Sequence, residues 1–263
     1  MPLFFLPPGR WTGPTVTLDA AESHHAAAVL RLQSGTVVGV FDGCGRKATA
    51  TVSTVTKREV ALVLSGEPDM TARPNRLALA VAVPKGSTFD WIVEKAVELG
   101  ASDIFPLLTQ RTIVRLAPNE RAERREKWQR TALEACKQCG QTWLPTVHEA
   151  AALAPFLERQ PASAWDLALV ASLQPESQPL AAVSDRRTAE TGRPPAHAIA
   201  LIGPEGDFTP QEYAAIAQAG YSPVSLGALV LRVETAALCT LSMLRYLTQS
   251  APNPQGSNPR QGG

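Results

Sequence analysis

No apolar run in this chain approaches the roughly 20 residues that a bilayer-spanning helix requires. Its start, Met1-Pro2-Leu3-Phe4-Phe5-Leu6, lacks the basic stretch that opens a secretory signal. Both absences lead us to expect a cytoplasmic protein with no membrane partner. Cysteine is scarce, at 4 in 263 residues, too few for a disulfide framework. Cys136 and Cys139 form a Cys-x-x-Cys pair, but no second pair and no suitably spaced histidine completes a zinc set. A redox pair opens a helix, whereas this one closes a helical stretch before Gly140. We therefore expect no metal. Phosphate-binding patterns are missing too. Neither GxGxxG nor GxxxxGK[ST] occurs, and Pro84-Lys85-Gly86-Ser87 lacks the leading glycine of a phosphate loop. No paired carboxylates and no Ser/His/Asp spacing stand out. Excess charge is also absent: 25 Lys and Arg face 24 Asp and Glu, so the whole chain does not advertise nucleic-acid binding.

What is present is ordinary in bulk, 44% apolar and 19% charged, as in a globular protein of one large or two modest domains. Its order along the chain is more telling. Residues 1–70 read as short strands at Thr15–Leu18, Val37–Phe41, Ala48–Thr54 and Val60–Leu64, with Asp42-Gly43 as a turn. One helix, Ala20–Leu30, interrupts them behind an Asp19 cap. This pattern predicts a small β-barrel over residues 1–72. Prolines and polar residues from Glu67 to Asn75 make a linker.

From residue 77 strands alternate with helices, which predicts a mostly parallel α/β sheet with helices on both faces over 75–249. The strands are Leu77–Val83, Ile104–Leu108, Asp166–Val170, Ala198–Ile202 and Val224–Leu226. The helices are Phe89–Leu99, Asn119–Cys139 and Val233–Thr248. Residues 250–263, rich in Pro, Gly, Gln and Asn, predict a disordered tail. The one basic segment is 111–137, where eight basic side chains outnumber four acids. It reads either as a solvated helix with pairs such as Glu120–Arg124 and Glu126–Arg130, or as a track for phosphates.

Ligands of parallel sheets sit beyond the carboxyl ends of the strands. Three loops lie there. In Leu201-Ile202-Gly203-Pro204-Glu205-Gly206-Asp207-Phe208-Thr209-Pro210, two glycines let backbone approach a ligand, and Thr209 with Glu212 makes a capping box. Leu226-Gly227-Ala228-Leu229-Val230-Leu231-Arg232 is too apolar for a surface loop. If buried, its backbone groups need partners, which an adenine edge supplies. Ala171–Pro179 furnishes a further wall. Residue chemistry stops at a pocket for an adenine-type or other small molecule.

The loops Leu201-Ile202-Gly203-Pro204-Glu205-Gly206, Leu226-Gly227 and Val230-Leu231-Arg232-x-Glu234-Thr235 resemble the SPOUT superfamily of knotted methyltransferases. More narrowly, the chain is similar to the ribosomal RNA small subunit methyltransferase E family. Further matches are His25 with Val29-Leu30-Arg31, Asp42-Gly43, Pro84-Lys85-Gly86, Glu94-Lys95 with Glu98-Leu99-Gly100, and Glu134-Ala135 with Gln138-Cys139-Gly140. The resemblance implies an N-terminal PUA-like barrel, a C-terminal trefoil knot that binds S-adenosylmethionine, a homodimer, and methylation of uridine N3 in 16S ribosomal RNA. It departs from the family at Gln141 and Leu229, where arginine is expected, at Lys137 and Gln110, where acids are usual, and at Leu3, where a basic residue is frequent.

On this reading the cofactor residues are Ala171, Ile202, Gly203, Glu205, Gly206, Leu226, Gly227 and Leu231. Arg232 and Glu234 are the catalytic candidates, with Arg232 either contacting the target uracil or pairing with Glu234 or Glu205 to hold the loop. Arg31, Arg111, Arg124 and Arg125 are candidates for RNA phosphate. His25 is read as core or cap. Two rivals remain. A ribose 2′-O-methyltransferase of the same superfamily would carry Asn-Val-Ser where this chain has Arg232-Val233-Glu234-Thr235. A non-catalytic RNA-binding protein with a vestigial pocket would have no need of the glycine loops.

Overall fold

The structure, a computed structural model, describes residues 1–56 and 59–249. The tail expected at 250–263 lies outside them. The described residues form two compact units, Met1–Arg73 with Leu133–Leu144, and a second made of Pro74–Ala132 with residues 145–249. Residues 133–144 pack with the first unit, where Trp143 lies against Gly45 so closely that a Cβ there would come within 2.6 Å of the indole.

In the first unit the strands are β1 (Leu3–Phe5), β2 (Thr15–Thr17), β3 (Val37–Phe41), β4 (Arg46–Val55), β5 (Val60–Leu64) and β6 (Asp69–Met70). The sheet order is β1-β3-β4-β5-β2, with β6 beside β4. Alternation sends Phe4, Leu6, Val38, Val40 and Leu62 into one core. The expected barrel is not closed by hydrogen bonds: among the described residues β1 and β2 end the order without pairing each other. Each is only 3 residues long, too short to complete the ring. Asp42 makes the turn between β3 and β4, its Oδ1 accepting from the amides of Cys44 (2.7 Å) and Arg46 (3.0 Å). Asp19 caps α1 (Ala20–His24) as expected, accepting from Glu22 N at 2.8 Å. The helix then widens into a π turn over His25–Val29, which periodicity did not foresee, and ends with Arg31 at φ +52°. His25 stands edge-on to Phe4, at 6.0 Å between ring centres.

The second unit holds β7 (Arg76–Ala82), α2 (Thr88–Glu98), β8 (Asp103–Leu108), most of α3 (Pro118–Cys139), β9 (Thr146–Val147), β10 (Ala151–Ala152) and α4 (Leu153–Arg159). After these come β11 (Leu167–Ala171), β12 (Gln178–Pro179), α5 (Leu180–Thr191), β13 (His197–Ile202), α6 (Pro210–Gln218), β14 (Ser222–Ser225) and α7 (Val233–Gln249). The order is β10-β8-β7-β13-β11-β14-β12, with β9 beside β8. All pairings are parallel. β7 and β13 lie at its centre, which is why both read as unbroken apolar runs. Ala78, Ala80, Ile199 and Leu201 pack with Phe156 of α4 and Ile216 of α6. Helix α7 packs against β7 and β13, where alternation puts Leu77 and Leu79 on the other face.

Candidate functional site

Strands β11, β13 and β14 end together, and the loops that leave them enclose one cavity. Seven of the eight residues proposed from sequence line it: Ala171, Ile202, Gly203, Glu205, Leu226, Gly227 and Leu231. Gly206 is not on its wall. The wall also includes Ser172, Leu173, Pro204, Asp207, Leu229 and Val230, which lie in the three loops expected to surround the ligand but were not singled out, and Val233 and Ala236 of α7, which sequence reasoning missed. Val233 and Ala236 stayed hidden because their facing depends on how α7 docks, a quantity no short pattern carries.

The 203–209 loop is held from several sides. A Cβ on Gly203 would sit 3.1 Å from the ring of Phe208, itself 2% exposed, so glycine here lets Phe208 pack beneath the loop. Asp207 adopts φ +62°, which asparagine and aspartate tolerate best among residues with side chains. Its Oδ1 accepts from Phe208 N (2.8 Å) and from the Tyr213 hydroxyl (2.7 Å). Burial, reinforced by the Asp207 carboxylate, pushes the Tyr213 phenol up, so it stays a donor.

The expected capping box forms. Glu212 N donates to Thr209 Oγ1 at 3.3 Å, and Thr209 N to Glu212 Oε2 at 2.9 Å. The buried Glu212 carboxylate has a second task, accepting from Gln110 N at 2.8 Å through Oε1. That bond fastens the loop after β8 to the start of α6. Next to it Arg111 donates to the Gly206 carbonyl, and a Cβ on Gly206 would come 3.4 Å from Arg111 Cδ. Arg111, expected on an RNA surface, is thus engaged with the glycine loop.

The apolar loop differs from expectation. It is not buried: Leu229 is 77% and Val230 78% exposed, and Leu173 opposite is 60% exposed. The loop is open to solvent, so the argument from buried, unpaired backbone groups falls away. Its aliphatic side chains instead stand open beside the cavity, an apolar surface without a cover.

Arg232 is exposed at the end of this loop, and its carbonyl accepts from Ala236 N at 2.8 Å as α7 begins. Among the described residues it forms no ion pair with Glu205 or Glu234. Neither Glu120–Arg124 nor Glu126–Arg130 pairs either. Glu120 instead accepts from Ala117 N at 2.7 Å, and Arg125 donates to Val147 O at 3.2 Å. Arg124 is exposed on α3, and Arg31 is exposed in the first unit.

Two family models match the chain: an RNA methyltransferase domain over residues 71–245 and an RNA methyltransferase PUA domain over 18–65. A ribosomal RNA small subunit methyltransferase E from Synechocystis is 34% identical, over 90% of this chain and 74% of that protein. The chain belongs to the ribosomal RNA small subunit methyltransferase E family. The Bacillus subtilis methyltransferase E is 28% identical over 90% of this chain and 91% of its own. A solved methyltransferase E from Neisseria gonorrhoeae, bound to S-adenosyl methionine, matches with TM-score 0.80 and 28% identity over 94% of this chain and 98% of that one. A putative methyltransferase from Legionella pneumophila, also holding that cofactor, gives 0.81 and 28% over 93% and 96%.

Three of the residues expected to depart from the methyltransferase E pattern have local roles. Gln141 accepts from Trp143 N at 3.2 Å through Oε1. Lys137 is buried against Glu22. Leu3 pairs with Gly39 as β1 meets β3. Among the described residues no group of His, Cys, Asp and Glu could hold a metal ion.

Proposed function

We propose that this chain is an S-adenosylmethionine-dependent methyltransferase that modifies N3 of a uridine in 16S ribosomal RNA. One observation carries the reading: the cavity at the ends of β11, β13 and β14 sits under an uncovered apolar loop in a chain of the methyltransferase E family. Its residues fit the cofactor. Leu229, Val230 and Leu231 offer aliphatic faces to an adenine ring, Gly227 leaves backbone accessible, and Glu205 and Asp207 offer carboxylates to a cationic ligand. When bound, S-adenosylmethionine supplies an electrophilic methyl group on a sulfonium.

Uracil N3 carries a proton at neutral pH and becomes a good nucleophile only as that proton leaves. The negative charge that develops spreads to the flanking uracil oxygens, and a guanidinium with several donors suits it. Arg232 is our candidate, because it stands exposed at the end of the cofactor loop and forms no ion pair with a carboxylate among the described residues. Glu234, in the first turn of α7, is the neighbouring candidate for taking the proton.

We divide the chain into a PUA-like RNA-binding domain, 1–72, and a methyltransferase domain, 75–249, and place the enzyme in the cytoplasm. No helix among the described residues is long and apolar enough to cross a membrane. The trefoil knot and the homodimer implied by the resemblance belong to the same reading. Exposed Trp91 on α2 and Met243 and Tyr246 on α7 support a second copy.

The test is single-turnover methylation of small-subunit RNA followed by nucleoside mass spectrometry. Arg232→Ala should lose on the order of 3 kcal/mol of transition-state stabilisation, about a hundredfold in rate, with cofactor affinity kept within a few fold. The methyl must remain with the base after glycosidic cleavage. A methyl on ribose would replace the N3 assignment by 2′-O transfer.

A further inference from the structure

Every charged side chain on the cavity wall is acidic. Glu205 and Asp207 line it, and among the described residues no Lys, Arg or His does. Arg111 approaches the same loop but is committed to the Gly206 carbonyl, off the wall. The first turn of α7 lines the cavity through Val233 and Ala236, and Glu234 in that turn opposes the positive end of the helix. Asp207 is held in one pose: its left-handed backbone and the two donors on Oδ1 fix the carboxylate. Its Oδ2 takes no donor from the described residues.

Transfer of a methyl group changes the charge of what the pocket holds. S-adenosylmethionine bears a sulfonium, and the product S-adenosylhomocysteine bears a neutral thioether, the sulfur having kept the electron pair of the broken bond. The other charges of the two molecules are the same. An acidic wall therefore distinguishes them by Coulomb attraction alone. We infer that Glu205 and Asp207 make this pocket charge-selective, holding the sulfonium form more tightly than the thioether and so hastening exchange of product for fresh cofactor. The inference rests on the S-adenosylmethionine reading above.

The experiment is calorimetric titration of the full chain with S-adenosylmethionine and with S-adenosylhomocysteine, at low and high salt. Wild type, Asp207→Asn and Glu205→Gln are compared. Asparagine tolerates the left-handed backbone and keeps the Oδ1 acceptor, so Asp207→Asn removes charge with little else. The wild type should prefer the sulfonium form by roughly tenfold at low salt, as expected of partly screened charges a few ångströms apart. Each variant should narrow that ratio several-fold by weakening S-adenosylmethionine and leaving S-adenosylhomocysteine unchanged. High salt should narrow it in the wild type. An unchanged ratio in both variants, or a wild type preferring the thioether, overturns the inference while leaving the cofactor assignment intact. A wild type that binds neither molecule overturns the cofactor assignment itself. Glu205 is exposed, so its variant carries the test even if Asp207→Asn perturbs the loop.

Discussion

The Lys137 ammonium lies 2.8 Å from the Glu22 carboxylate, and both side chains are only 7% exposed. Glu134 closes on the same ammonium at 3.0 Å from the solvent side. Burial raises the pKa of Glu22 despite the lysine. Burial also works against the Lys137 charge, but the two carboxylates outweigh it and hold its pKa above the usual value. Replacing Lys137 by methionine strands a buried carboxylate, at a cost of about 3 kcal/mol, the low end for such a change because Glu22 can take up a proton. Adding Glu22→Leu should recover most of the loss. Urea denaturation of the three proteins measures both effects, and a single variant as stable as the wild type would show the pair to be idle.

Asp103 predicts an acid limb. It accepts from His148 Nε2 at 2.9 Å, Arg76 Nε at 3.1 Å and Ser102 Oγ at 3.0 Å. Burial alone would raise its pKa, but the bonds from His148, Arg76 and Ser102 outweigh it and bring the value down from 3.8 to about 2. A carboxylate depressed in the fold stabilises above its unfolded pKa, and that contribution is lost as pH falls through 3.8 towards about 2. The shift corresponds to about 2 kcal/mol. Asp103→Asn should thus be less stable than wild type by about that amount at neutral pH. Denaturation curves of the two should converge in strong acid; a constant gap would rule out ionisation as the cause.

Two substitutions separate the cavity from the packing beneath it. Leu231→Glu should abolish the rise in melting temperature that saturating S-adenosylmethionine produces in the wild type, a gain that follows from binding to the folded state alone. The unliganded melting temperature should change little. Gly203→Ala places a methyl 3.1 Å from Phe208, so it should lower the unliganded melting temperature as well. Thermal scans with and without cofactor tell the two patterns apart.

Arg111 and Arg124 should differ in kind. Arg111 donates to Gly206 O, so Arg111→Ala should weaken cofactor binding several-fold and leave the salt dependence of RNA affinity nearly unchanged. Arg124 is exposed on α3, and Arg124→Glu should flatten the log–log salt plot by roughly one or two counterions. If Arg111→Ala flattens the plot instead, its guanidinium leaves Gly206 to meet phosphate.

Legibility followed the length scale of each feature. Long buried strands such as β7 and β13 are visible because a strand covered on both faces must be apolar throughout. The two-residue strands β6, β9, β10 and β12 carry no periodicity, and each exists only because a neighbour offers a free edge. Helix α5 was missed because few of its positions are buried and its pattern reads as polar chain. Pairing of Arg232 with Glu234 or Glu205 was one of two readings that the sequence left open, and among the described residues no such ion pair forms.

The sequence by itself determined the alternation that makes a parallel sheet, the caps at Asp19 and Thr209, and the loops that surround the cavity, since each depends on residues a few positions apart. Only the tertiary structure decided what those loops are fastened to. Glu212 meets Gln110 N across 102 positions, and Lys137 meets Glu22 across 115. It also decided that Leu229 and Val230 face outward. Hydropathy records how strongly a side chain avoids water, but whether anything covers it depends on the path of chain elsewhere in the fold.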